Sequence, residues 1–269
     1  MGKGDQVRFV LRGVGQTLIT LGLVVLLFVV YEVWITNLFS RDANNTIKNK
    51  IERQWAGGRD TLPLPGSGNS TIKLGTGIAN IYIPRLGRDY HWTIVEGVSQ
   101  DDLAKGPGHY PGTALPGQKG NFAVAGHRVG KGEPFLNIDQ LKSGDTVIVE
   151  TKASWFVYKV LGAPEGRNPE TVSSVVTWTG GSAKLPGREI VEPSDGRVLH
   201  PVPDHADVAA TGASEKLMTM TTCHPKFTAA KRMIVYAKLA TEVAPVMNGT
   251  NRVEKMPAAI EALYQGVQA

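Results

Sequence analysis

The chain has one cysteine, Cys223, in 269 residues. No disulfide can close within it, and the fold must rest on its own core. Its six histidines show no closely paired spacing, and with a single thiol they make no metal-ligand framework, so neither a metal nor another cofactor is expected. Surplus charge is also scarce. The net +5 divides into eight Lys/Arg against five Asp/Glu over residues 1–60 and 21 against 19 over the rest, so no basic stripe is left for a folded nucleic-acid-binding face. Only one long apolar run occurs, which excludes a many-span membrane protein, and the 42% hydrophobic and 20% charged residues are those of an ordinary globular chain.

That run is Val14–Tyr31, 18 residues without a charge, extended past Glu32 by Val33, Trp34 and Ile35 to a span of 14–35. At about 1.5 Å per residue it crosses a hydrocarbon layer of about 30 Å, with Tyr31 and Trp34 placed as interfacial aromatics. A cleaved signal peptide has a shorter apolar core and a small-x-small cleavage site, whereas here Thr36-Asn37-Leu38-Phe39-Ser40 follows. The sequence therefore predicts an uncleaved signal anchor. Lys3, Arg8 and Arg12 lie on the short tail 1–13, which puts the N-terminus in the cytoplasm and the remainder outside the cell membrane, although Lys48, Lys50 and Arg53 dilute the asymmetry.

Residues 36–73 divide into a helix-periodic stretch, Arg41–Trp55 (Ala43, Ile47, Ile51, Trp55), and a Gly/Pro/Ser-rich linker over 57–72. From 74 to 240 the character is that of many short strands: Ile78–Ile83, Trp92–Val95, Asn121–Ala125, Thr146–Thr151, Phe156–Leu161, Ile190–Val191, Lys216–Thr222 and Met233–Leu239. Such a pattern predicts a β-barrel or sandwich. The pattern lapses between about 163 and 188, which reads as a long loop insertion. A tail, 241–269, ends in a short helix over Ala258–Val267 and is assigned no function.

Cys223 ends the β-prone run Leu217–Thr222 and is followed by His224-Pro225, a position from which a thiol can face a cleft. A thiol needs a basic or cationic neighbour to act as a nucleophile. His127, at the end of the strand holding Val124-Ala125-Gly126, and Arg232, opening the strand Met233-Ile234-Val235, are the candidates. His224 is set aside, because adjacent strand residues point to opposite faces. Against this site stand ordinary alternatives, in which Cys223 is a small buried hydrophobe and Arg232 a solvated edge residue.

Thr219-Met220-Thr221-Thr222-Cys223 with Arg232 nine residues later resembles the sortase signature Thr-Leu-x-Thr-Cys, Met220 replacing Leu. Gly120–Arg128 is similar to the sortase histidine strand. Gly106–Thr113 and Cys223-His224-Pro225 resemble the class E branch, the housekeeping sortases of actinobacteria. The resemblance covers roughly residues 74–240.

It implies a closed sortase-type β-barrel of about eight strands behind one transmembrane helix. It also implies a cysteine transpeptidase that cleaves Leu-Ala/Pro-x-Thr-Gly sorting signals between Thr and Gly through a thioester, and joins the surface protein to a lipid II-type amine of the cell wall. Cys223 would be the nucleophile, His127 the acid and base, and Arg232 the oxyanion or peptide-carbonyl partner, while Tyr110, His109, Thr221 and Thr222 are implied substrate contacts. Two departures lie near the cleft rim: Val129-Gly130-Lys131-Gly132 stands where class E members carry Thr-Thr-Tyr-Gly, and the 163–188 stretch is extra. The other readings are a pilus-polymerising sortase and an inactive membrane-tethered peptide-binding module.

Overall fold

A computed structural model describes residues 3–31, 36–63, 72–249 and 251–265. Trp34, the greater part of the expected linker and the last residues of the expected terminal helix lie outside them. Helix α1 (Lys3–Val30) contains Leu11–Val30, long and apolar enough to cross a membrane, with its apolar side chains unburied. Its hydroxyls are satisfied within the helix, Thr17 Oγ1 donating to Gly13 O at 3.0 Å and Thr20 Oγ1 to Gln16 O at 2.9 Å. An apolar medium offers such groups no other partner.

The strands β1 (Gly77–Tyr82), β2 (His91–Glu96), β3 (Gly108–His109), β4 (Gly120–Ala125), β5 (Thr146–Glu150), β6 (Trp155–Val160), β10 (Lys216–His224) and β11 (Lys231–Val243) form the barrel. They are hydrogen-bonded in the order β10-β4-β3-β2-β1-β5-β6-β11, and the β10–β11 pairing closes the ring. This is the eight-stranded barrel that the resemblance implies. Its membership differs by one strand from the sequence-based list. The Ile190–Val191 run belongs to β9 (Arg188–Val191), appended to β11 outside the ring, and β3 completes the ring instead. Two residues, one of them glycine, carry no detectable alternation, so β3 is invisible to pattern.

Alternation then sorts the two faces. Phe122, Val124, Met218, Met220, Met233 and Val235 fill the barrel interior with Ile81, Ile94, Val147, Val149 and Tyr158. Leu217, Ile234 and Tyr236 face outward and are covered by a second cluster that includes Val176, Leu185 and Val198. Val176 and Leu185 come from a hairpin, β7 (Ser173–Trp178) and β8 (Gly181–Pro186), inside the stretch expected to be a loop. Its Ser, Thr, Lys and Gly positions leave one apolar residue per strand to bury, too few to show an alternating pattern. The tail also packs. Around α3 (Ala258–Glu261) and the 3-10 turn after it, Ile260 and Tyr264 cover Ile148, Trp155 and Val157 on the outside of β5 and β6.

Helix α2 (Thr36–Ala56) begins five residues before the predicted Arg41 and lies on β1 and β2, burying Ile51 and Trp55. Because β3 is so short, it pairs only with Val95 and Glu96 of β2. The outward peptide groups of Thr93 therefore have no strand to meet, and Asn44 of α2 replaces one. Its Oδ1 accepts from Thr93 N at 2.9 Å, and its Nδ2 donates to Thr93 O at 2.9 Å and to Lys105 O at 2.7 Å. Gly106 (φ +153°) permits this approach, since a Cβ there would lie 2.3 Å from Asn44 Nδ2. Asn44→Ala leaves buried backbone groups unpaired and is expected to destabilise the domain by about 2–3 kcal/mol. Thermal unfolding of the full chain checks this, with a fall in Tm predicted.

Candidate active site

The parallel pair β10/β4 matches Thr221 with Ala125, and Gly126 N donates on to Thr221 O at 3.0 Å. Carried two residues further, the same register sets His127 opposite Cys223. On the other side, the antiparallel pair β10/β11 matches Cys223 with Arg232 directly. Counting by twos from outward-facing Leu217 brings Cys223 to the outer face, and counting from outward-facing Ile234 and Tyr236 brings Arg232 there too. Three residues far apart in sequence are thus set at neighbouring register positions on one outer face. Thr222 locks the junction, its Oγ1 donating to Gly126 O at 2.8 Å beside His127.

Cys223, a free thiol, is half-buried at the head of a cleft of about 380 Å³. His127, Arg128 and Val129 line it together with Cys223, Phe227, Thr228 and Ala229. The Nε2 of His127 is buried without a hydrogen-bond partner among the described residues. Burial, and secondarily the nearby Lys131 charge, push the His127 pKa below its ordinary value. The imidazole is therefore neutral at neutral pH. Lys131→Met removes a like charge from the imidazolium and is expected to move the His127 titration upward. NMR of the ring protons reads this, and an unmoved or lowered midpoint contradicts the assignment.

Arg232 is half-buried, and its Nη1 donates to Ala229 O and Lys231 O, each at 3.0 Å. Both bonds lie on the exposed side, so the guanidinium can exchange them for a more negative partner at small cost. Tyr110 OH lies 3.0 Å from Thr221 Oγ1, and Tyr110 N donates to Ala123 O at 3.0 Å, placing this ring on the outer face next to the cysteine strand. His109 lies apart from the cleft. It is 2% exposed, with Nδ1 2.7 Å from Glu96 Oε2 and Nε2 within 3.1 Å of Ala114 O and 2.9 Å of Thr113 Oγ1. Both ring nitrogens are committed inside the protein, where they brace the 110–114 turn that carries Tyr110. Thr221 and Thr222 are 4% and 2% exposed, so neither hydroxyl lies open to solvent.

Sequence reasoning gave no role to Arg128, which lines the cleft yet is only 3% exposed. Its Nη1 donates to Cys223 O at 3.3 Å and to His224 Nδ1 at 2.9 Å, and its Nη2 pairs with Asp139 Oδ2 at 3.2 Å. His224 is thereby occupied as an acceptor. Burial and the Arg128 charge both lower its pKa, despite some opposition from nearby carboxylates. A charged residue beside a catalytic candidate reads equally well as solvated, and no periodicity reveals that it is buried.

A sortase-domain family model matches residues 81–240. The chain is 36% identical over 238 residues to sortase SrtE1 of Streptomyces coelicolor, a match covering 86% of this chain and 57% of that protein. It is 31% identical over 234 residues to sortase SrtE2 of the same organism, covering 84% and 80% respectively. Among solved structures it is similar to the SrtF sortase of Corynebacterium diphtheriae, with a TM-score of 0.57, 35% identity, and coverage of 74% of this chain and 98% of that one. The SrtA sortase of Actinomyces oris superposes with a TM-score of 0.51 at 31% identity, over 69% and 89%. By these matches the chain belongs to the sortase family. It spans a little over half the length of SrtE1.

Proposed function

We propose that this protein is a membrane-anchored cysteine transpeptidase that cleaves sorting signals of the Leu-Ala/Pro-x-Thr-Gly type between Thr and Gly and joins the new carboxyl end to an amine of a cell-wall precursor. The carrying observation is the placement of the only thiol between His127 and Arg232 on one face. In the first half-reaction Cys223 Sγ bonds to the Thr carbonyl carbon, its proton passing to the neutral His127. As the C–N bond to Gly breaks, His127 gives that proton to the departing amine and a thioester remains. In the second half the incoming amine attacks the thioester carbonyl, His127 takes its proton, and the thiolate leaves and is reprotonated. The same ring serves both directions, as microscopic reversibility requires.

Arg232 meets the developing oxyanion or the carbonyls of the bound peptide, a charge whose value rises where water is excluded. Tyr110 forms a wall for the second residue of the signal, where Ala and Pro differ, and Thr221 holds its hydroxyl. Thr222 acts through Gly126 to keep His127 in register. Helix α1 anchors the enzyme, N-terminus inside, at the outer surface where a lipid-linked acceptor and a membrane-retained surface protein are both concentrated. A Clostridium perfringens relative, 28% identical with a TM-score of 0.51, is described as a Sortase D5 transpeptidase, which supports transfer over simple hydrolysis.

The test is incubation of the full chain in detergent micelles with Leu-Ala-x-Thr-Gly and Leu-Pro-x-Thr-Gly peptides and an added amine. Mass spectrometry should find the amine attached to Thr and the Gly end released. Failure to cleave both peptides, with a folded protein, contradicts the proposal.

A further inference from the structure

Between His127 and Phe135 the chain makes an uncommon turn. Gly130, Lys131, Gly132 and Glu133 have φ values of +69°, +50°, +79° and +46°, a left-handed run in which two members carry side chains. Such a run persists only where its surroundings impose it. Internally it has Glu133 N donating to Gly130 O at 2.9 Å and Gly130 N donating to Glu133 Oε2 at 3.3 Å. Leu136 N also donates to Glu133 O at 3.1 Å, and the exposed Lys131 Nζ donates to Gln100 Oε1 at 3.2 Å. The backbone of Gly132 and the carboxylate of Glu133 are held from α2. Asn37 Oδ1 accepts from Gly132 N at 2.8 Å, and Asn37 Nδ2 donates to Glu133 Oε1 at 3.1 Å. The fit is close, because a Cβ on Gly132 would lie 2.5 Å from the Trp92 ring and 3.1 Å from Ser40 of α2.

The turn leads straight back to the site. Phe135 N donates to His127 O at 3.0 Å, and the Phe135 ring packs so closely under Gly126 that a Cβ there would lie 2.5 Å away. Tyr90 OH fixes the following Pro134 O at 2.7 Å. The turn is thus joined through Pro134 and Phe135 to the peptide groups on both sides of His127.

We infer that Asn37 is a positioning residue for His127: the helix that joins the membrane span to the barrel clamps the left-handed 130–133 turn and so sets the acid-base ring against Cys223. The inference rests on the transpeptidase reading for its catalytic consequence. It makes α2 a working part of the site instead of a spacer, and gives a use to the segment in which this chain departs from its class.

The polarity of the clamp supplies the test, made on the full chain in detergent micelles by amide exchange and by steady-state peptide turnover. Asn37→Ala should speed exchange across 127–135 and lower kcat by about 10- to 100-fold with little change in KM, the signature of a misplaced catalytic group. Asn37→Asp keeps the acceptor for Gly132 N but sets a carboxylate against Glu133, and should fail similarly. Adding Glu133→Gln should then restore both readouts, with Asp accepting from Gly132 N and from the Gln amide while the Gln carbonyl accepts from Gly130 N. Unchanged exchange in Asn37→Ala, a loosened turn with unaltered kcat, or a double variant no better than Asn37→Asp overturns the inference. A wild-type chain that turns over neither peptide removes the transpeptidase reading, and the exchange data and their rescue then judge the clamp separately.

Discussion

Cys223→Ala is expected to abolish turnover, with kcat/KM falling by at least about a thousandfold, while the barrel unfolds at nearly the wild-type temperature. The asymmetry follows from where the side chain lies. Cys223 is half-buried on the outer face at the end of β10, opposite Arg232 and outside the packed barrel interior, so loss of one sulfur opens no internal cavity. No other thiol can form the thioester. Groups that act as one unit fail together when the nucleophile is removed, which leaves only the binding and electrostatic contribution of the remainder. Thermal unfolding beside peptide turnover checks both halves of the expectation.

His127→Ala should lower kcat by about 10²- to 10⁴-fold, the usual worth of a positioned acid-base group. Its Nε2 has no partner among the described residues, so truncation strips none of them of a hydrogen bond and the fold should hold. Cys223 should remain open to alkylation in this variant, because the cleft persists without the ring. Loss of turnover with retained alkylation separates a missing proton carrier from a collapsed site. A His127→Ala enzyme with near wild-type kcat would assign the proton transfers to another group.

Much of this arrangement is legible in the sequence, because it rests on alternation and punctuation. The runs 216–222 and 233–239 announce themselves as strands, which the structure extends to 216–224 and 231–243, and Pro225 follows the end of the first. What escapes is set by polar residues acting as backbone partners. Asn44 completes a strand edge and Asn37 grips a turn, yet in a helical pattern both read as solvent-facing, so the start of α2 and its contact with the site carry no apolar signal. β3 is too short for a period to exist. In the 163–188 stretch glycine and proline punctuation hides a hairpin that buries only Val176 and Leu185. His109 illustrates the converse: its motif draws attention to it, while Glu96, Thr113 and the Ala114 carbonyl, which hold its ring, are brought there by tertiary folding.

Covalent capture of the sorting signal is the central claim, and intact-protein mass spectrometry tests it most directly. The full chain is mixed with a Leu-Ala-x-Thr-Gly or Leu-Pro-x-Thr-Gly peptide in the absence of amine, quenched in acid, and digested to locate any adduct. The expected result is a mass increase equal to the peptide fragment ending in Thr less one water, carried by Cys223, discharged by hydroxylamine and absent from Cys223→Ala. Peptide cleavage without an adduct on Cys223 in a rapid quench, or an adduct that persists in Cys223→Ala, would contradict it.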